Sequence, residues 1–96
     1  MRISAGERAA VKKIVHQLDK RAKIHLYGSR TNDSLRGGDI DLLIISDRLF
    51  LTDKLNLLVQ MKDALGEQKI DILIKTAKDS RSDPFVRQVM KSAVLL

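Results

Sequence analysis

The sequence contains no cysteine and no tryptophan, and it has only two histidines, one tyrosine and two phenylalanines. The absence of cysteine excludes disulfides and thiolate-bound metals, and two histidines argue against a histidine-based zinc site. A bound metal must therefore be held by oxygen atoms, which favours magnesium, manganese or calcium. The scarcity of aromatic side chains argues against a base-stacking surface of the kind that binds single-stranded nucleic acid.

Long apolar runs are also missing. The N-terminal segment carries charges and has no apolar stretch as long as a signal peptide or a membrane-spanning helix requires. We therefore expect a cytoplasmic protein without membrane contact. A length of 96 residues is enough for one modest hydrophobic core, so we predict a single domain over residues 1–96.

Charge is distributed unevenly along the chain. The formal net charge is +6, and residues 1–36 hold nine basic and three acidic side chains, whereas residues 37–96 hold nine of each sign. The basic part can attract nucleic acid, nucleotide phosphates or an acidic partner, although a solvated helix face explains the same pattern. Nucleic-acid binding through this part predicts a steep dependence of affinity on salt.

Apolar periodicity and capping residues predict the element order α-β-α-β-α-β-α. The predicted strands are residues 23–27, 40–46 and 69–74, and the predicted helices are residues 4–21, 29–36, 52–65 and the segment that begins at 83–84. Residues 76–82 are polar and are predicted to form a loop. The residues expected to face inward are Val11, Ile14, Val15, Leu18 and Ala22 near the first helix, and Leu55, Leu58, Val59 and Leu65 on the third.

Carboxylates stand at the beginning of two apolar strand sequences. Asp39 and Asp41 point to the same face because side chains alternate along a strand, and Asp71 lies beside Asp41 if the two strands pair. A cluster of carboxylates is unfavourable without a partner, and one or two magnesium ions are the simplest partner. Any one of these aspartates alone is explained as a strand-flanking residue in water, but the three together favour a metal site.

A Gly28-Ser29 turn precedes the first two aspartates. Glycine allows close backbone approach, serine offers a hydroxyl, and a following helix N-terminus directs amide N–H groups towards a phosphate. Arg30 can pair with a phosphate, although it can equally be a surface arginine. Tyr27 and His25 are interpreted as packing or strand-edge residues. The turn and the carboxylates together predict metal-assisted chemistry on a nucleoside triphosphate.

Three motifs, Gly28-Ser29-Arg30, Gly38-Asp39-Ile40-Asp41-Leu42 and Ile70-Asp71-Ile72, resemble those of the nucleotidyltransferase superfamily, which shares the fold of DNA polymerase beta. The chain is most similar to the minimal nucleotidyltransferases (MNT proteins) of bacteria and archaea. The resemblance implies an α/β (α+β) fold with a small mixed sheet flanked by helices.

The same resemblance implies roles for six residues. Gly28, Ser29 and Arg30 would form the triphosphate site. The catalytic residues would be Asp39, Asp41 and Asp71, which would bind two Mg²⁺ ions, and Asp71 would help to activate the acceptor hydroxyl. The reaction implied is transfer of AMP from ATP, with pyrophosphate as the leaving group.

MNT proteins commonly pair with a helical HEPN protein, often as the antitoxin of a toxin–antitoxin system. The resemblance therefore implies a HEPN-type partner as the acceptor of AMP. Two alternatives stay open: a non-catalytic module that neutralises a HEPN partner by contact, and a small-molecule nucleotidyltransferase completed by homo-oligomerisation. The apolar residues 93–96 fit a contact surface or ordinary helix packing equally well.

Overall fold

The computed structural model describes residues 3–28, 40–66 and 68–96. In these residues, one four-stranded sheet carries helices on both faces, which confirms the predicted mixed α and β architecture. The elements in chain order are α1 (Ala5–Leu18), β1 (Lys23–Tyr27), β2 (Ile40–Ile45), α2 (Leu51–Leu65), β3 (Ile70–Lys75), α3 (Ala77–Ser82), α4 (Pro84–Met90) and β4 (Val94–Leu95). The helix predicted over residues 29–36 lies outside the described residues.

The strands lie side by side in the order β3-β2-β1-β4. β1 runs antiparallel to both β2 and β4, whereas β2 and β3 are parallel. A parallel pair needs a long crossover connection, and α2 supplies it. As a result, the N-terminal ends of β2 and β3 and the C-terminal end of β1 meet at one end of the sheet.

The first face of the sheet carries the main core. Even-numbered residues of the three long strands, such as Leu26, Leu42 and Ile72, pack in one cluster with residues of α1 and α2. Burial of each such side chain contributes about 1.5–3 kcal/mol. α1 begins at a capping box in which Ser4 Oγ accepts from the Glu7 N–H and the Glu7 carboxylate accepts from the Ser4 N–H, both at 3.0 Å.

The second face carries a smaller core. Leu43 and Ile45 from β2 pack with Val86 of α4, and Leu73 and Met90 adjoin them. This cluster occupies the middle of the face, where α3 and α4 lie against the sheet. Charged residues lie at the two ends of the same face: Asp41 and Asp71 at one end, and Lys23 at the other.

The predicted loop over residues 76–82 was wrong, because Ala77–Ser82 form α3. Thr76 is its N-cap: Thr76 Oγ1 accepts from the Asp79 N–H at 3.1 Å, and the Asp79 carboxylate accepts from the Thr76 N–H at 3.0 Å. This capping box stabilises a helix whose side chains are polar. The following helix begins at Pro84 as predicted, with Asp83 as its N-cap.

The predicted inward faces of the long helices were partly wrong. In α2 the buried residues are Leu57 and Met61, whereas Leu55 and Val59 are 66% and 69% exposed. In α1, Leu18 lies at the exposed C-terminal end. Because α2 has apolar residues around most of its circumference, periodicity alone cannot select the face that packs on the sheet. In the described ranges, none of the helices has the length and apolar character needed to cross a membrane.

The apolar C-terminal residues extend the sheet. Val94 and Leu95 form β4 and pair with Leu26 and His25 of β1, and the Leu96 N–H donates to the Ile24 carbonyl at 2.9 Å. Helix packing was therefore the wrong interpretation of this segment, because its backbone completes the edge of the sheet and buries the Leu96 side chain.

Candidate active site

Tyr27, Asp41 and Asp71 form one row across three neighbouring strands. Asp41 is the register partner of Tyr27 in the antiparallel pair and of Asp71 in the parallel pair. All three are odd-numbered, like Leu43 and Leu73 of the smaller core, so their side chains lie on the second face of the sheet. Neighbouring strands lie about 4.8 Å apart, so the two carboxylates are within reach of a single cation. We call this row the acidic end of the sheet.

The sequence explains why these carboxylates are in register. Each aspartate is the second residue of its strand and follows a buried isoleucine, Ile40 in β2 and Ile70 in β3. The isoleucines are themselves register partners in the main core. Because a shift by one residue would bury both carboxylates in that core, the apolar pattern fixes the position of the acidic row.

The electrostatics of the acidic end favour a cation. Asp41 is half-buried and Asp71 is exposed, and like charges directly opposite each other in a sheet repel. Burial and the charges of Asp41 and Asp71 raise the pKa of the neighbouring Tyr27. The negative charges of both carboxylates therefore disfavour ionisation of the Tyr27 hydroxyl.

Gly28, which follows Tyr27, lies directly against the Asp41 carboxylate. Its φ of 78° lies in the left-handed region, and a Cβ at this position would collide with the Asp41 carboxylate, whose Cγ would lie 3.3 Å away. Both the backbone conformation and the space beside Asp41 thus require glycine here. Gly66 has a similar φ of 82°, but a Cβ there would meet nothing within 4 Å.

The structure brings together three of the six predicted site residues, Gly28, Asp41 and Asp71. Ser29, Arg30 and Asp39 lie outside the described residues. In residues 3–28, 40–66 and 68–96, no group of three or more histidine, aspartate or glutamate side chains is placed to hold a metal ion. The described part of the site is therefore an all-oxygen pair of carboxylates, a donor type that suits Mg²⁺, Mn²⁺ or Ca²⁺.

Sequence reasoning missed the position of Tyr27, which it interpreted as a packing or strand-edge residue. Its side chain does adjoin the smaller core, but its register places it beside Asp41. The available signal was the position of Tyr27 immediately before Gly28. The register of β1 on β2 cannot be derived from that position, because eleven residues outside the described ranges separate Gly28 from Ile40.

Comparison with known families agrees with this geometry. Residues 8–96 match the family model described as the nucleotidyltransferase domain. The match includes all four strands of the sheet and every residue of the acidic end. No curated protein matches the sequence. Since the family model covers nearly the whole chain and the mixed sheet agrees with the resemblance found from the motifs, the chain belongs to the nucleotidyltransferase domain family.

Proposed function

We propose that this domain is a Mg²⁺-dependent nucleotidyltransferase that moves AMP from ATP to an acceptor hydroxyl. The single observation that carries the proposal is the register pairing of Asp41 with Asp71 at one end of the sheet. Membership of the family supports nucleotidyl transfer in general. The choice of ATP and Mg²⁺ follows from the resemblance to minimal nucleotidyltransferases and from the all-oxygen donor set.

The residues of the acidic end fit a divalent cation. Asp41 and Asp71 are adjacent like charges, and the missing side chain of Gly28 lets the Asp41 carboxylate lie against the backbone at the end of β1. We propose Asp39 as the third ligand, as the motif implies. When bound, the metal would neutralise charge on the phosphates and on the reacting oxygens.

We propose the following roles for the protein residues, as the motifs imply. Gly28 permits the triphosphate to approach the backbone, together with Ser29 and Arg30. The acceptor oxygen attacks the α-phosphorus, the bond from that phosphorus to the bridging oxygen breaks, and pyrophosphate leaves. Asp71, the more exposed carboxylate of the pair, accepts the proton of the acceptor hydroxyl.

We propose a helical HEPN-type protein as the acceptor, with this chain acting as its antitoxin. An exposed apolar row on α2 supports a protein partner: Leu51, Leu55 and Val59, four residues apart, are 76%, 66% and 69% exposed. Such spacing places them on one face of the helix, and exposed apolar patches mark interaction sites.

Intact-mass spectrometry tests the proposal. The chain is incubated with the product of its neighbouring gene, ATP and Mg²⁺, and pyrophosphate release is measured in parallel. We expect the partner to gain one or more AMP units. Asp41→Asn should reduce the rate by about 10³-fold or more, because loss of a metal ligand removes several kcal/mol of transition-state stabilisation.

In experiments without the partner, Asp63→Asn is the matched control, since Asp63 is exposed on α2 and belongs to the opposite side of the sheet from the acidic row. Asp63 lies one turn after Val59, so the matched control in the partner assay is Asp47→Asn. Asp47 is exposed and follows β2 at the end of the sheet away from the acidic row, and an asparagine oxygen can still accept from the Ala77 N–H. Asp47→Asn should keep full activity. A stable complex with neither mass gain nor pyrophosphate release would contradict the enzyme and favour the contact-only module. Pyrophosphate release without modification of the partner would contradict the protein acceptor and favour a small-molecule substrate.

A further inference from the structure

A cleft of about 470 Å³ lies on the second face, at the opposite end from the acidic row. Side chains from β1, β4, α3 and α4 line it, together with the segments that precede β1 and follow β2. Ile45, one of its apolar residues, is four positions beyond Asp41 on β2. At about 3.3 Å per residue, the cleft is about 13 Å from the carboxylates. We call it the basic end.

Four cationic side chains line the basic end: Arg21, Lys23, Arg48 and Arg81. All four are exposed. Within the described ranges, none of them makes an ion pair with a carboxylate at 4.0 Å or less. Arg21 and Lys23 lie together at the start of β1, whereas Arg48 follows β2 and Arg81 belongs to α3. The fold therefore brings cations from three separate segments of the chain to one cleft.

Two carboxylates also line the cleft, but both already accept backbone N–H groups. Asp19 is buried and accepts from Ser46 Oγ at 2.6 Å and from the Arg21 N–H at 2.9 Å. Asp47 accepts from the Ala77 N–H at 3.0 Å. Four cations against these two anions leave two positive charges in excess at the cleft.

His25 also lines the cleft. The side chain is 6% exposed, and its Nδ1 is shielded from solvent. Burial and the nearby Lys23 charge lower the pKa of His25, against the effect of a backbone hydrogen bond at Leu43. The neutral ring is therefore favoured, and it contributes a surface without charge to the cleft.

The remaining wall of the basic end is apolar, formed by Ile45, Met90 and Leu95. A concave site with an apolar wall and a few convergent polar groups is typical of small-molecule binding. Its volume is within the range of about 300–1,000 Å³ for such sites. The apolar wall suits the carbon skeleton of an organic ligand, and the cations suit a phosphate group.

We propose that the basic end binds a small organic phosphate, a phosphate monoester, without a metal ion. The phosphate lies among Arg48, Arg81 and their cationic neighbours, and the carbon skeleton lies against the apolar wall. This site is separate from the proposed nucleotidyl-transfer site and does not depend on its activity.

NMR titration with ribose 5-phosphate in EDTA tests this site. We expect saturable shifts of the Ile45, Met90 and Leu95 methyl signals and of the His25 ring, with the signals of Tyr27 unchanged. Ribose, which lacks the phosphate, should cause none of these shifts. Arg81→Gln and Arg48→Gln should each weaken binding by about tenfold or more, since each variant removes a charge-assisted hydrogen bond to the phosphate.

Arg87→Gln is the matched control, because Arg87 is exposed on α4 but does not line the cleft. It should leave the affinity unchanged, as should Asp41→Asn, which removes only the proposed metal site. The proposal is overturned by the absence of saturable shifts up to about 10 mM, by equal binding of ribose, or by wild-type affinity in both arginine variants. Shifts caused by a single-stranded oligonucleotide but not by the sugar phosphate would instead identify a nucleic-acid surface, and would also overturn it.

Discussion

The two ends of the second sheet face carry opposite charge on the same strands. On β1, Tyr27 stands at the acidic end and Lys23 at the basic end. On β2, Asp41 is followed on the same face by the buried Leu43, which separates the two ends, and then by Ile45 in the wall of the cleft. Four residues of strand thus change the surface from a pair of carboxylates to a cleft with excess positive charge.

The two ends differ in how they are built. The acidic end consists of register partners in adjacent strands, so the core pattern that fixes the strand register also fixes the carboxylates. The basic end combines side chains from loops, short helices and an edge strand. Its geometry therefore depends on the packing of α3, α4 and β4. The first arrangement suits a metal site that needs fixed ligands, and the second suits recognition of a ligand by charge.

The largest effect that separates the two ends is expected from glycine substitutions. Gly28→Ala places a Cβ against the Asp41 carboxylate and strains a residue with φ of 78°. Gly66→Ala strains a similar φ of 82° without any contact within 4 Å. An alanine in a backbone conformation that favours glycine costs about 1–3 kcal/mol, and Gly66 adopts such a conformation, with φ 82° and ψ −161°. Thermal unfolding should show a loss of that order in Gly66→Ala and a larger loss in Gly28→Ala, where the collision with Asp41 adds to the strain.

The two glycine variants should also differ in nucleotidyl-transfer activity. We expect Gly28→Ala to lose nucleotidyl transfer, and Gly66→Ala to retain it when assayed well below its melting temperature. Ribose 5-phosphate binding at the basic end should survive in both variants at such temperatures. Equal stability and equal activity of the two variants would contradict the close approach of Gly28 to Asp41.

A smaller effect is expected from the repulsion in the acidic row. Asp71→Asn removes one of two directly opposed like charges, which should raise stability in EDTA by about 0.5 kcal/mol, or about 2–4 °C in Tm. With Mg²⁺ and ATP the order should reverse, because a ligand stabilises only the protein that binds it. Differential scanning calorimetry under both conditions measures this change. Asp71→Asn that is less stable than the wild type in EDTA would contradict the repulsion.

The smallest expected effect is a change in the titration of Tyr27, the single tyrosine in a chain without tryptophan. Burial and the charges of Asp41 and Asp71 raise its pKa. Asp71→Asn should therefore lower the Tyr27 pKa towards the ordinary value of about 10, as followed by tyrosinate absorbance. An unchanged titration in Asp71→Asn, matching the Asp63→Asn control, would show that Asp71 does not face Tyr27.

The raised pKa of Tyr27 also determines how the free energy of unfolding depends on pH. The unfolded chain loses the tyrosine proton at lower pH than the folded chain. The stabilisation associated with the protonated Tyr27 is therefore complete below about pH 10 and is lost as the pH rises through the pKa of the folded state.

Parts of the fold were predictable because local pattern and tertiary packing agree. β1 was predicted at its observed bounds, and β2 and β3 were predicted to within one residue at each end, since each is a short apolar run with clear flanks. Alternation within β2 and β3 also placed Asp41 and Asp71 on one face. The capping box at Ser4 and the Asp83-Pro84 helix start are local signals that the fold retains.

Other parts were not predictable because they depend on distant packing. β4 has only two residues, and its strand conformation exists through pairing with β1. The buried side of α2 is selected by the sheet, since Leu57 and Leu55 are equally apolar. The basic end requires Arg21, Arg48 and Arg81 to converge from separate segments, and no spacing along the chain indicates that. By contrast, α3 had a readable capping signal in Thr76 and Asp79.

Paramagnetic NMR with Mn²⁺ tests whether the acidic end binds the divalent cation of a nucleotidyltransferase. We predict that at substoichiometric Mn²⁺ the signals of Tyr27, Leu43 and Leu73 in the wild-type protein broaden first and most strongly, and that those of Met90 and Leu95, about 13 Å away at the basic end, broaden less. Asp41→Asn should abolish the broadening, and Asp63→Asn should retain it. Broadening centred on the basic end, or unchanged in Asp41→Asn, would contradict the account.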